Sequence, residues 1–211
     1  AEHKRMSPSK SVINEFSNFD EIINGYSSAG VSGISILTDK KYFGGSIEDI
    51  TNAKKLTKLP ILRKEFIIDE IQIIEAKAIG ADAILLISAC LTKNLIKTLS
   101  ECAKKLNLDV LVEIHELSEL SNCLLNTVDI IGVNNRNLKT FNVNTKISKD
   151  LSKHIPNEFV KISESGISSV KEIIELQEFG FDGFLIGEKF MKKDNPGLEA
   201  LNYINDLKLL K

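Results

Sequence analysis

The 211-residue chain has no tryptophan, only three cysteines and three histidines, and four prolines. Cys90, Cys102 and Cys123 are odd in number and scattered, without a CxxC pair, which argues against a disulfide framework or a thiolate zinc site. They read as reduced thiols that behave as small hydrophobes in a cytosolic protein. Cys90 keeps some interest because it follows a predicted strand. His3, His115 and His154 are too dispersed to suggest a metal site. Neither sign of charge dominates, since 27 basic and 29 acidic residues leave a net charge of −2. No global positive field recruits nucleic acid or an anionic membrane, so any anion site must be local. Long apolar runs are missing too. Stretches such as Ala83–Ile87 are far too short to span a bilayer, and the opening Ala1-Glu-His-Lys-Arg5 is the reverse of an apolar signal core. These absences predict a cytoplasmic protein with no nucleic-acid or membrane partner, a monomer being the favoured state.

What the chain does have is alternation. Short apolar runs at Gly33–Leu37, Pro60–Lys64, Ala83–Ile87, Asp109–Ile114, Ile130–Asn134, Phe159–Glu164 and Gly183–Ile186 read as strands, preceded by a stub at Glu2–Lys4. Helical segments lie between them. Asp69 can cap a helix carrying Ile71, Ile74 and Ala78, with Gly80 as its left-handed stop. Ser169-Val-Lys-Glu172 has the form of a capping box, closed by Gly180. Apolar strands separated by helices imply parallel strands joined by right-handed crossovers. An open doubly wound sheet would alternate in the same way, but eight strands exceed its common orders and no GxGxxG follows the first strand. Three segments, Gly30–Leu37, Gly80–Ile87 and Gly180–Gly187, align without gaps before and within even-numbered strands, with a weaker copy at Thr127–Val133. Four such β/α pairs close a ring. The predicted fold is α/β, a (β/α)8 TIM barrel, as one domain over residues 1–211 that begins within the first strand; such barrels run to about 200–250 residues.

In a barrel of this kind the chemistry lies at the carboxyl ends of the strands. Glu2 and Lys4 belong to the first strand, Lys64 ends the third, Glu113 lies in the fifth, Asn134 ends the sixth and Glu164 the seventh. Alternate strand residues share a face, which groups Glu113 with Leu111, Asn134 with Ile130, and Glu164 with Val160 and Ile162. With those faces inward, two lysines and three carboxylates meet at one cavity mouth. Buried unpaired charge is expensive, so such a set needs a ligand or mutual pairing. Glu164-Ser165-Gly166 and Gly187-Glu188 follow the seventh and eighth strands. Glycine lets backbone amides approach a ligand, and a short helix after the eighth strand would aim its positive end at the usual phosphate position. His115 shares the face of Glu113 one step further out, where it could rim the pocket, with structural or solvated use as the favoured reading. Arg5 and Lys10 make the first loop basic, either as a lid or as an exposed charged loop. Tyr42 is expected in helix packing.

Six segments then match one family in order and spacing. Ala1–Ser9, Leu62–Asp69, Leu111-Val-Glu-Ile-His115, Gly132-Val-Asn-Asn-Arg-Asn-Leu138, Ser163-Glu-Ser-Gly-Ile167 and Phe184-Leu-Ile-Gly-Glu188 resemble the signatures of indole-3-glycerol-phosphate synthase. The resemblance covers nearly the whole chain. It implies an enzyme without metal or cofactor that acts on a small sugar phosphate, 1-(2-carboxyphenylamino)-1-deoxyribulose 5-phosphate. The product would be indole-3-glycerol phosphate, formed with loss of carbon dioxide and water. By motif, Lys64 resembles the general acid that protonates the sugar carbonyl, and Glu113 the acid/base of dehydration. Glu2 and Glu164 would hold sugar hydroxyls and neighbouring lysines. Lys4 and Arg136 would engage the substrate's anionic groups, and Asn134 would orient its oxygens. Ser7, Ser165, Gly166, Gly187 and the amide of Glu188 would bind substrate or phosphate. Phe43 and Phe66 resemble walls of the aromatic pocket.

Ordinary acidities agree with these roles. Lysine titrates near ~10.4 and glutamate near ~4.3, so at neutral pH Lys64 is a loaded donor and Glu113 an acceptor. The match has departures. The family carries a helical extension before the first strand, whereas this sequence opens inside it; a poorly paired first strand and weak activity are the expectation. His3 stands where the family has an apolar residue, and Lys189 where a small one is common. Two rival readings are a phosphoribosylanthranilate-type isomerase, for which a Cys/Asp pair is expected in place of the lysines, and a non-catalytic sugar-phosphate binder, which would not need an acid–base pair.

Overall fold

Eight short apolar runs form strands in the computed structural model, which describes residues 1–8, 12–14, 18–137 and 140–210. The chain order is β1 (Glu2–His3), α1 (Phe19–Ala29), β2 (Ile34–Leu37), α2 (Lys40–Phe43), α3 (Ile47–Leu56), β3 (Ile61–Lys64), α4 (Glu70–Ala78), β4 (Ala83–Ile87) and a 3-10 turn at Ser88–Cys90. It continues with α5 (Lys93–Lys105), β5 (Asp109–Ile114), α6 (Leu117–Cys123), β6 (Ile130–Asn134), α7 (Lys146–Ser152), β7 (Val160–Glu164), α8 (Val170–Glu178), β8 (Gly183–Leu185), α9 (Glu188–Met191) and α10 (Pro196–Leu209). The strands follow one another in the sheet in chain order. Every predicted strand is present, to within a residue at its ends. Two compact units are distinguished: Ala1–Glu65 with Ile79–Ala81 and Ile186–Lys211, and Phe66–Ala78 with Asp82–Leu185.

In the first unit the Asn18 side chain caps α1 by accepting from the Asp20 amide, and Ser46 with Asp49 closes a capping box on α3. Ile22, Ile23 and Tyr26 of α1 are buried, as are Ile34 and Ile36 of β2, Ile50 of α3 and Ile61 of β3. Each such side chain contributes about 1.5–3 kcal/mol when fully withdrawn from water. Helices α1 and α10 touch backbone to backbone, because a Cβ on Gly25 would stand 2.7 Å from the Gly197 Cα. The first strand is better paired than the sequence led us to expect. Glu2 and His3 pair in parallel with Ser35 and Ile36, and the Glu2 amide donates to the Ile186 carbonyl at 2.9 Å. His3 is buried edge-on against Phe19, with ring centroids 4.9 Å apart. Burial first, and then the Arg5 charge, hold its pKa down at about 4 against the pull of Asp49 and Glu2. At neutral pH it is therefore an uncharged aromatic, which is how it fills a position that calls for an apolar residue.

In the second unit α4 begins as predicted, with the Asp69 carboxylate accepting from the Ile71 amide at 2.9 Å. Its buried face is different. Ile71 and Ile74 are 62% and 49% exposed, while Ile73 and Ala76 are buried. Adjacent isoleucines at 73 and 74 offer two apolar rows, and the row holding the small Ala76 lets the helix sit closer. The Ser169–Glu172 capping box forms in both directions. Val110, Leu111, Val112, Ile131 and Val133 of β5 and β6 form the buried centre of this unit. The glycines that open the three repeat copies, Gly30, Gly80 and Gly180, have φ of 80°, 97° and 83°. Each ends a helix in the left-handed region before an even-numbered strand, so the repeat has a conformational basis. Among the described residues no helix is long and apolar enough to cross a membrane.

Candidate active site

The ends of β1 and β3 carry the charged cluster of the first unit. Glu2 is 3% exposed, and its carboxylate lies between two ammonium groups: Lys4 Nζ at 2.8 Å from Oε1 and Lys64 Nζ at 3.3 Å from Oε2. The Ser35 hydroxyl donates to Oε2 at 3.5 Å. Burial alone would raise the Glu2 pKa, but the two lysine charges and their hydrogen bonds outweigh it and hold it at about 2. Glycine is required beside this carboxylate. A Cβ on Gly187 would stand 2.6 Å from Glu2 Oε1 and 3.0 Å from its Cβ. The residue after it, Glu188, opens α9 and is half-buried.

The ends of β5, β6 and β7 carry the cluster of the second unit. Strand register sets Glu113 beside Gly132 and Asn134 beside Glu164. Leu111, Gly132 and Glu164 share a face, because a Cβ on Gly132 would lie 2.3 Å from Glu164 Oε1 and 3.0 Å from Leu111 Cδ1. The buried Glu113 has its Oε1 3.3 Å from His115 Nε2, and His115 Nδ1 is 3.6 Å from Glu119 Oε2. Burial would lower the His115 pKa, yet the close contact with Glu119 and the charges of Glu113, Glu119 and Glu164 together raise it. His115 is thus an ion-paired group rather than a solvated one. Cys90 stands on the 3-10 turn after β4, its thiol pKa raised by burial and then by Glu113 and Glu119, so it is not an activated nucleophile.

Asn134 Oδ1 accepts from the Arg136 amide at 2.9 Å and turns the chain after β6. Arg136 pairs antiparallel with Val143 and donates from Nη1 to the Phe141 carbonyl at 3.4 Å. Sequence reasoning missed Asn135, which is wholly buried. Its amide donates to Ser163 Oγ at 3.0 Å and the Ser165 carbonyl at 3.1 Å, while its oxygen accepts from the Ser148 amide and hydroxyl. Ser165 and Gly166 both have positive φ, 67° and 76°, a costly conformation for a non-glycine residue, and Asn135 anchors it. The doubled asparagine of Val133-Asn-Asn-Arg136 was the available signal, since neighbouring residues face opposite ways.

The remaining predicted positions are more varied. Ser7 and Phe43 are half-buried, and Phe66 is 42% exposed on the loop after β3. Arg5 does not stand out as a substrate clamp. Its guanidinium holds Asp49 with two nitrogens and donates to the Gly44 carbonyl at 3.2 Å. Lys10, with Ser9 and Leu138 of the family motifs, lies outside the described residues. Lys189 is bound to Glu199 at 2.9 Å, with its Nζ 6.0 Å from the Tyr203 ring centroid. Tyr42 is 46% exposed beneath Lys41 instead of packed between helices.

Comparison with known proteins places this geometry in context. The family model for indole-3-glycerol phosphate synthase matches residues 1–201. The chain is 48% identical over 204 residues to the indole-3-glycerol phosphate synthase of Bacteroides thetaiotaomicron, covering 97% of this chain and 78% of that protein. It is 49% identical over 193 residues to that of Caldanaerobacter subterraneus, covering 92% and 75%. Among solved structures, KGPDC from Streptococcus mutans superposes with a TM-score of 0.70 at 16% identity, covering 93% of this chain and 95% of that one. Orotidine 5'-phosphate decarboxylase from Pyrococcus horikoshii also gives 0.70, at 10% identity, covering 90% and 92%. Those two likenesses speak to the fold alone, which is the (β/α)8 barrel class. The family match and the identity across almost the whole chain speak to more: the chain belongs to the indole-3-glycerol phosphate synthase family.

Proposed function

We propose that the protein is a carboxy-lyase that converts 1-(2-carboxyphenylamino)-1-deoxyribulose 5-phosphate into indole-3-glycerol phosphate, a cytoplasmic step of tryptophan biosynthesis. The observation that carries this reading is the buried Glu2 carboxylate held between the ammonium groups of Lys4 and Lys64. A pure binder of sugar phosphate has little use for a carboxylate clamped by two lysines, since it neutralises the cations that would attract the ligand. A proton-transfer site does have a use for it: the pairing fixes Lys64 in place and favours its charged, proton-bearing form.

In this reading Lys64 donates its proton to the sugar carbonyl oxygen as the carboxyl-bearing ring carbon attacks the carbonyl carbon. Loss of carbon dioxide restores the aromatic ring. Glu113 then serves as the acid/base that removes water to complete the indole. Developing negative charge on the carbonyl oxygen is met by cations already in place, the usual source of the largest catalytic effect. Lys4 and Arg136 engage the substrate's anionic groups, while Asn134, Glu2 and Glu164 orient its oxygens. Ser7, Ser165 and the backbone at Gly166, Gly187 and Glu188 take the phosphate, and Phe43 and Phe66 flank the aromatic ring. The test follows indole absorbance after adding the anilino-deoxyribulose phosphate. Product from the unaltered chain and near-complete loss in Lys64→Ala are expected. Undiminished turnover by Lys64→Ala would remove its role.

A further inference from the structure

We infer that His115 is the positioning residue of Glu113, its imidazole bridging that carboxylate to Glu119 and so fixing the carboxylate's orientation. The inference rests on the role proposed for Glu113 and adds a residue to it. Geometry carries the argument. Nε2 lies 3.3 Å from Glu113 Oε1 and Nδ1 lies 3.6 Å from Glu119 Oε2, with the three side chains 12%, 3% and 13% exposed. Glu119 grips the same residue a second time, since its Oε2 accepts from the His115 backbone amide at 2.9 Å. The ring is therefore held at the end of β5 by a carboxylate from α6, while its other nitrogen faces the carboxylate to be positioned.

Neither ring nitrogen makes a well-aligned hydrogen bond, so the two contacts are charge contacts, and only the imidazolium, with its positive charge and two N–H groups, attracts both carboxylates. The groups facing it are Glu113 of β5, Glu119 of α6 and Glu164 of β7. Cys90 on the 3-10 turn and Cys123 of α6 also border this set. Burial and then Glu113 and Glu119 raise the Cys90 thiol, and burial, helped by Glu119 and opposed by a hydrogen bond with Ser88, raises Cys123 to about 11, so neither adds charge near neutrality. Three carboxylates against one burial cost favour the protonated ring. As pH rises past its raised pKa the ring loses one N–H, and one carboxylate then meets a lone pair. Glu113 loses this one anchor, and the chemical step slows without weakening substrate binding. Small misplacement of a reacting group costs on the order of a hundredfold.

The experiment compares kcat and KM across pH for the unaltered chain, His115→Gln and Glu119→Gln, together with NMR titration of the labelled His115 ring. His115→Gln should lose roughly ten- to a hundredfold in kcat with KM little changed, and should lack the alkaline fall that the unaltered chain shows. Glu119→Gln should move that fall to lower pH. The ring titration should shift downward in both Glu113→Gln and Glu119→Gln, a readout that needs no turnover. An unchanged kcat and pH profile in His115→Gln, or a ring pKa indifferent to Glu113→Gln, would overturn the inference while product formation left the proposed activity standing. No indole from the unaltered chain would end the activity itself, and the positioning role with it.

Discussion

Replacing Glu2 by glutamine keeps the shape of the side chain and removes its charge. The carboxylate titrates at about 2 in the folded protein against 4.5 ordinarily, and each unit corresponds to 1.36 kcal/mol, so its ionised form is favoured in place by about 3 kcal/mol. Glu2→Gln gives up that preference and leaves Lys4 and Lys64, each with 16% of its side chain exposed, without the carboxylate between them. Removing one partner of a buried pair costs about 3–5 kcal/mol, so a loss of about 3 kcal/mol near neutrality is the expectation, or roughly 6–12 °C in Tm for a chain of this size. The pH dependence makes the reasoning strict. A carboxylate whose folded pKa is depressed stabilises the protein above its unfolded pKa and ceases to do so as pH falls through the folded value. The gap between the native chain and Glu2→Gln should therefore be full at pH 7 and about half as large at pH 3. Urea unfolding at the two pH values measures it. A gap that stays constant, or no gap at pH 7, would refute the assignment of Glu2 as the charged centre of the cluster.

Gly132→Ala puts a methyl 2.3 Å from Glu164 Oε1 and 3.0 Å from Leu111 Cδ1, and those residues are 0% and 1% exposed, so neither can retreat into solvent. The variant should lose about 1–3 kcal/mol of stability and a large share of kcat, and native values in unfolding and turnover assays would contradict the packing described. His3 has a folded pKa of about 4 against 6.5 ordinarily, so its stabilisation is complete above about pH 6.5 and declines by about 3 kcal/mol as pH falls towards 4. His3→Leu should flatten the fall in stability between pH 6.5 and 4.5, a window above the titration of Glu2; parallel stability curves for the two proteins would rule the account out.

The strands were legible because apolar runs lie between helix caps and left-handed glycines, features that act within a few residues. The polar strand ends were legible for a similar reason: strand periodicity assigns a face without any tertiary information. What a charge does there was not legible, because that depends on partners distant in sequence. Arg5 read as a possible clamp for an anion, yet its partner Asp49 lies 44 residues on and also completes the capping box of α3. The helix α4 was given its apolar row by a sequence in which two rows compete, and only docking chooses between them. Asn135 and His115 were opaque on the same ground. Each is one polar residue beside a more conspicuous one, and their importance appears only when Ser163, Ser165 and Ser148, or Glu113 and Glu119, are found around them.

On the roles proposed for these residues, their partners also decide how ready the chemistry is before substrate arrives. Glu2 lies between Lys4 and Lys64 in the first unit, and Glu113 beside His115 in the second, so within each unit the charged groups are already paired, and the proposed chemistry would not have to reorganise them from solvent. An anionic substrate that draws Lys4 towards itself loosens only one of the two contacts of Glu2. The other, at 3.3 Å, still holds the amino group of Lys64, the proposed donor. On the proposed roles, two lysines around one carboxylate would let Lys4 bind substrate while Lys64 donates a proton, a division that a single Lys–Glu pair does not offer.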